Sequence, residues 1–168
     1  MRGALFLILM LVLGTQACGP TSGPMSTISP PPASVNLTVY FTDIPRFQVG
    51  TEPYETAVTR SVPVPASMPE AVLQQLFIGP TEAEKAQGLE VVLSGTTGFS
   101  KLTIEDGVAR IYLTGTCASQ GATYTIANLI FANLKQFPEI KWIKIYDPNN
   151  ETETPDGQSS SIPFCLEP

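Results

Sequence analysis

Phe99-Ser100-Lys101-Leu102-Thr103-Ile104 and Val108-Ala109-Arg110-Ile111-Tyr112-Leu113 alternate on either side of Glu105-Asp106-Gly107. Alternation puts every second side chain on one face of a strand. Asp-Gly supplies the two left-handed residues that a tight two-residue turn needs. The stretch therefore predicts an antiparallel hairpin, and it anchors the reading of the rest. Toward the C-terminus, Thr123 to Phe137 carries Ile126, Leu129, Ile130, Ala132, Leu134 and Phe137 at helical spacing, with a hydroxyl cap at Thr123 or Thr125 and a stop at Pro138. Ile140 to Tyr146 follows as a strand.

Toward the N-terminus, Val35-Asn36-Leu37-Thr38-Val39-Tyr40-Phe41 is a second alternating, β-branched run. Thr42-Asp43 opens a loop containing Pro45 and Gly50, and Thr56 to Val64 reads as a strand whose prolines place it at an edge or an end. Ser67-Met68-Pro69-Glu70 starts a helix with a cap, an early proline and an acid at the positive end. Ala71, Val72, Leu73, Leu76 and Phe77 give it an apolar face before Gly79-Pro80 stops it. Thr81 caps a second short helical segment through Lys85, and Leu89 to Leu93 reads as extended, followed by a small-residue loop from Ser94 to Gly98. The order ββαββαβ predicts an α+β two-layer sandwich, with two main helices packed on one mostly antiparallel sheet.

The chain has 168 residues, enough for one domain of about 150 residues with some surplus. The surplus lies at the ends. Met1 to Ala17 is a basic start followed by ten apolar residues, Ala4 to Leu13, too few to span a bilayer, which takes roughly 20. This is a secretory signal. Cys18 follows small residues, as in the bacterial lipoprotein box, where the cysteine is acylated and becomes the mature N-terminus. Thr15 stands where that box usually has Leu. Ordinary cleavage after Ala17 and a retained anchor are the alternatives. Residues 18–35 form a Pro/Gly/Ser-rich tether, with five prolines between Gly19 and Val35. Residues 36–147 form the folded domain, and 148–168 an acidic tail.

There are 9 basic and 15 acidic residues, a net charge of −6, and no histidine. The charge excludes nucleic acid, which needs a basic face. The lack of imidazole removes Ser–His and Cys–His nucleophile pairs and most zinc sites. Three cysteines leave one to explain in a secreted chain. Acylation of Cys18 removes the odd one, and Cys117 and Cys165 can then pair in an oxidising compartment, tying the tail to the domain. A bridge across that separation contributes at most about 4 kcal/mol. The alternative, a catalytic free Cys117, lacks a base.

Leu73-Gln74-Gln75-Leu76-Phe77-Ile78-Gly79-Pro80-Thr81-Glu82-Ala83-Glu84-Lys85-Ala86-Gln87-Gly88-Leu89 resembles the GerMN domain, the sporulation and spore germination module of bacterial envelope proteins. Thr59-Arg60, Asp106-Gly107-Val108-Ala109 and Leu134-Lys135-Gln136-Phe137-Pro138 match in order, so the likeness covers Val35 to Asp147. Leu93-Ser94-Gly95-Thr96 departs from the family's Ile-Pro-x-Gly-Thr. The tail, through Ser161 to Pro168, is similar to an extended envelope lipoprotein subtype. The resemblance implies a non-enzymatic domain outside the cytoplasmic membrane, often lipid-anchored, with a binding role in spore envelope assembly or germination. It does not imply that the organism makes spores.

The residues offer four places for chemistry. The loop from Thr116 to Thr125 is polar and precedes a helix, so Ser119, Gln120, Thr123 and Thr125 are the candidate ligand-facing residues; capping and the disulfide explain the same loop. Asp147, Asn149 and Glu151 place oxygens at alternating positions, a weak calcium candidate without the glycine of an EF-hand. Gly79-Pro80-Thr81-Glu82 reads either as an anion-facing helix start or as a helix connector. Glu82 with Glu84, or Glu105 with Asp106, are the available carboxylate pairs, and neither pair faces across a cleft as glycoside hydrolysis requires. No cofactor is read. The expected partners are the membrane, through the lipid, and an envelope protein or peptidoglycan. A secreted or tethered small-ligand or calcium-binding module is the competing function. Nothing in the sequence sets an oligomeric state.

Overall fold

β1 (Ser34–Asp43) buries Leu37, Val39 and Phe41 on one face, as its alternation predicts. The computed structural model describes residues 33–168. The signal, Cys18 and the tether through residue 32 lie outside that range. Asp43 ends β1 and caps a short helix, α1 (Ile44–Gln48), by accepting the Arg46 N–H at 3.0 Å. The sequence pattern suggested only a loop here, because five residues are too few to show a helical period.

β2 (Glu55–Pro63) pairs antiparallel with β1 from Ser34↔Pro63 to Thr42↔Glu55 and forms the sheet edge expected from its prolines. α2 (Met68–Ile78) starts at Ser67, whose side chain accepts the Glu70 N–H, and ends at Gly79, which has φ +86°. Thr81 and Glu84 make a reciprocal capping box for α3 (Glu82–Lys85). β3 (Leu89–Glu90) is only two residues long and pairs with the end of β1.

β4 (Thr96–Glu105) and β5 (Val108–Gly115) form the predicted hairpin, with Glu105 opposite Val108 and both turn residues left-handed, Asp106 at φ 52° and Gly107 at φ 78°. β4 begins three residues before Phe99 and bulges twice, between Thr96 and Gly98 and between Phe99 and Lys101. α4 (Ile126–Leu134) is capped by Thr125 and is shorter than the Thr123–Phe137 span of the periodic pattern. It carries the chain over to β6 (Trp142–Tyr146), which pairs parallel with β5.

The architecture is α+β. The strands fall into two three-stranded sheets, β2-β1-β3 and β4-β5-β6, rather than one continuous sheet. The reason lies on the side of β1 where β3 stops. There Asn133 of α4, fully buried, accepts the Tyr40 N–H through Oδ1 at 2.9 Å and donates through Nδ2 to the Tyr40 carbonyl at 2.9 Å. Gln136 donates to the Thr38 carbonyl at 3.1 Å. Side-chain amides of α4 and of the turn just after it thus take backbone groups that another strand would otherwise pair, and the sheet ends. Side-chain alternation reports which face is buried and not which neighbour a strand has, so the sequence could not show this division.

α2 and α4 pack on each other and on β1. Leu73, Leu76, Leu129, Ile130 and Leu134 join Phe41, Ile111 and Ile143 in one fully buried cluster. Arg60 pins the α2–α3 corner. It stacks over the Phe41 ring at 5.0 Å and donates to the Gly79 carbonyl at 2.9 Å and to Glu84 Oε2 at 2.5 Å. The family-like arginine therefore holds the connector that follows α2.

The last residues are built into the domain. Ser161 bridges to β6 beside Lys144, and Cys165 is disulfide-bonded to Cys117. Leu166, in a one-turn 3-10 helix (Phe164–Leu166), enters the core.

Candidate functional site

The predicted ligand-facing loop divides into structural and exposed residues. Ser119 donates its hydroxyl to the Glu167 carbonyl and its N–H to the Cys165 carbonyl, so it fastens the C-terminus. Thr125 accepts the Ala127 N–H at the start of α4. Gln120 is exposed, at φ 54°, in the turn before Gly121. Thr123 alone of the four reaches a concave surface.

That surface is a cleft of about 500 Å³ between the α1–β2 connection and the start of α4. Phe47, Tyr54 and Tyr124 form its aromatic wall, and Glu52, Glu55, Thr123 and Asn128 supply polar groups. The connection is assembled locally. The Arg46 carbonyl accepts the Thr51 N–H at 2.9 Å, and the Tyr54 carbonyl accepts the Asp43 N–H at 2.7 Å, which folds the segment back beside β1. Tyr124 is 7 % exposed and donates its hydroxyl to Glu55 Oε1 at 2.7 Å. Burial, reinforced by the carboxylate, pushes the phenol well above its usual range, so it stays a donor. Asn128 caps α4 by accepting the Thr125 N–H at 2.9 Å. A shallower furrow continues past Glu55 and Asn128 to Phe131 and Lys135, whose ammonium lies 5.3 Å from the Phe131 ring centre.

A second depression, of about 490 Å³, lies between α2 and β4. Its wall is mixed: Phe77 and Phe99 meet beside Ile78, which is 70 % exposed, with Glu70, Gln74, Thr97 and Ser100 around them. It is the more open of the two, so the aromatic cleft, which can enclose more of a ligand, is the better candidate.

The other sequence candidates are committed elsewhere. Asp147 Oδ1 accepts the N–H groups of Asn149 and Glu151 at 2.9 and 2.8 Å, and Oδ2 accepts the Asn149 side-chain amide at 3.2 Å. The segment is a self-closed turn in which the central carboxylate already has donors. Among the described residues, no group of three or more His, Cys, Asp or Glu is placed to hold a metal ion. Glu84 is ion-paired with Arg60, and Glu82 lies on the surface, 2.7 Å from Lys85. Burial would raise the Glu84 pKa, but the Thr81 N–H and the Arg60 guanidinium outweigh it and hold the carboxyl below its ordinary value. Glu105 and Asp106 occupy the exposed hairpin turn. Thr81 is spent in its capping box, so the Gly79–Glu82 turn works as a connector.

Phe47, Glu52, Tyr54 and Glu55 escaped the sequence reading. They fall in a segment with no period, and the one cross-chain signal, Tyr124 to Glu55, spans 69 residues.

Solved structures similar to this chain include the tandem GerMN domains of the sporulation protein GerM from Bacillus subtilis. That match has 18 % identity and a TM-score of 0.49, covering 86 % of this chain and 50 % of the other. The chain thus spans half the length of that tandem protein. The first GerMN domain of the same protein matches at 19 % identity and a TM-score of 0.45, over 76 % of this chain and 97 % of the other. No curated protein matches the chain. A family model described as "Sporulation and spore germination" matches residues 38–151, from β1 past β6 and over most of the chain, and the chain belongs to that family, Germane.

Proposed function

We propose that this chain is a non-catalytic binding module of the cell envelope, tethered outside the cytoplasmic membrane through an acylated Cys18. The observation that carries the reading is the Cys117–Cys165 bridge. Stable disulfides belong to oxidising compartments. With two cysteines paired, the one left over is Cys18, at the end of a signal-like segment. The proline-rich residues that follow supply a standoff between membrane and domain. The two carboxylate pairs read from the sequence are committed to Arg60 and a capping box or lie in an exposed turn, which leaves no support from them for turnover. The aromatic cleft is the surface best suited to a partner, either an envelope protein or a peptidoglycan component. The Asp147 turn lends no support to calcium binding, because its carboxylate already has N–H donors.

The test is fractionation with mass spectrometry of the mature N-terminus. The native chain is expected in the membrane fraction with a lipid-modified Cys18. Cys18→Ala is expected to release it or to block its processing. A soluble product beginning at an unmodified Cys18 would overturn the anchor and leave a secreted module. Cross-linking in native membranes tests the binding role: a reproducible cross-link to an envelope protein or to wall material is expected, and its absence would overturn that role.

A further inference from the structure

The composition of the aromatic cleft selects for charge. Phe47, Tyr54 and Tyr124 meet at centroid distances of 5.2, 5.2 and 5.9 Å. Rings packed this closely leave no room for a ligand between them. Tyr124 is buried and Tyr54 half-buried, so Phe47 is the ring open to a ligand, and the face of an aromatic ring attracts cations. Glu52 and Glu55 share the cleft, and no Lys or Arg lines it. Glu55 is fixed in place: Oε1 accepts the Tyr124 hydroxyl, which leaves Oε2 to face a ligand. Phe47 is 41 % exposed, so its ring can be reached by a ligand.

We propose that this cleft binds a primary alkylammonium group, such as the end of a lysine side chain, with the ammonium between Glu52 and Glu55 and its alkyl stem on the Phe47 ring. The proposal rests on the binding-module reading and names the ligand chemistry for it. An ammonium has three donors and no acceptor, which suits a wall where Glu52 and the remaining oxygen of Glu55 can only accept. Thr123 and Asn128 complete the rim and can hold an amide or carbonyl further along the ligand. Lys135, beyond Asn128, disfavours a second cation in the adjoining furrow, so the ligand is expected to carry its positive charge at one end.

The experiment is a calorimetric titration of the purified full chain with Nα-acetyl-lysine amide. The Nε-acetylated form of the same compound serves as the neutral counterpart. Saturable binding of the amine and none of the acetylated form is expected, weakening with added salt. Glu52→Gln with Glu55→Gln keeps an acceptor for Tyr124 and is expected to lose roughly tenfold in affinity. Phe47→Leu keeps an apolar surface but removes the ring, and a several-fold loss is expected. Equal binding of the acetylated form, unchanged affinity in both variants, or no saturable binding of the amine would each overturn the proposal. Two further probes separate the sources of the ammonium. A lysine-containing peptide that binds tighter than the amide points to a protein segment; cadaverine binding as well as the amide points to a free amine. Failure of the amines while the membrane location and the cross-links stand removes only the ligand class. Loss of the cross-links removes the binding-module reading itself.

Discussion

Glu84 shows how one side chain can be read as chemistry in a sequence and as architecture in a fold. Its carboxylate accepts the Thr81 N–H at 2.6 Å and meets the Arg60 guanidinium at 2.5 Å, with little solvent on either side chain. Its depressed pKa means that the unfolded chain binds the proton more readily. Stability from this group is therefore fully present above the ordinary carboxylate pKa and is lost as pH falls through the lower folded value. Glu84→Gln is expected to cost about 2 kcal/mol at neutral pH, the scale of a charge-assisted bond to a partner left behind. It should also flatten the acid limb of a stability profile measured by urea unfolding. An unchanged acid limb would mean that Arg60 holds the corner without it. Lys144 is shifted in the same direction for the opposite reason, because burial disfavours its charged form. Its buried ammonium donates to the carbonyls of Thr154 and Asp156 and to the Ser159 hydroxyl. Burial, with Arg110 nearby, lowers its pKa against a smaller opposing pull from Asp156.

At the scale of elements, what could be read from the sequence were features with a local cause. Asp106-Gly107 announced the hairpin because only residues tolerant of a left-handed backbone close a two-residue turn. Ser67, Thr81 and Thr125 announced their helices because free N–H groups need an acceptor. The split into two sheets could not be read, because it depends on Asn133, on the buried face of α4, reaching a strand 93 residues earlier. Asn133→Leu fills the space but leaves the Tyr40 N–H and carbonyl without partners. It is expected to destabilise the domain by about 2–4 kcal/mol. Gln136→Leu, at a half-buried position, should cost less. Chemical denaturation of the two variants side by side checks the order. The candidate site was half legible for the same reason. Thr123 lay in a recognisable pre-helix loop, while Phe47, Glu52, Tyr54 and Glu55 meet it only through tertiary folding.

Over the whole molecule, the C-terminal segment is secured twice. The Cys117–Cys165 bridge and the Ser119 bonds hold its end, and the Lys144 ammonium with the Ser161 bridge to β6 holds its middle. The two fastenings are independent, which gives a graded expectation. Cys165→Ala should lower stability by up to about 4 kcal/mol, the chain-entropy figure for a loop of this size. Limited proteolysis should then cut after Ser161 before it cuts between Thr154 and Ser161. Cleavage throughout the tail at one rate would show that the bridge alone secures it. The paired cysteines were within reach of simple counting. The ammonium clasp was not, since a lone lysine in a strand reads as a solvent-facing residue.

The amides of Asn133 and Gln136 have a consequence for how these chains meet one another. An open row of backbone donors and acceptors invites a strand from a neighbouring molecule, and natural sheets blunt that invitation with bulges, charges or covering segments. Here Asn133 of α4 and Gln136 just beyond its end occupy the row along Thr38 and Tyr40. If the proposed anchor gathers chains on one surface, their local concentration rises, and a sticky strand border would turn neighbours into aggregates. α4 thus guards against fibrous self-association as well as filling the core.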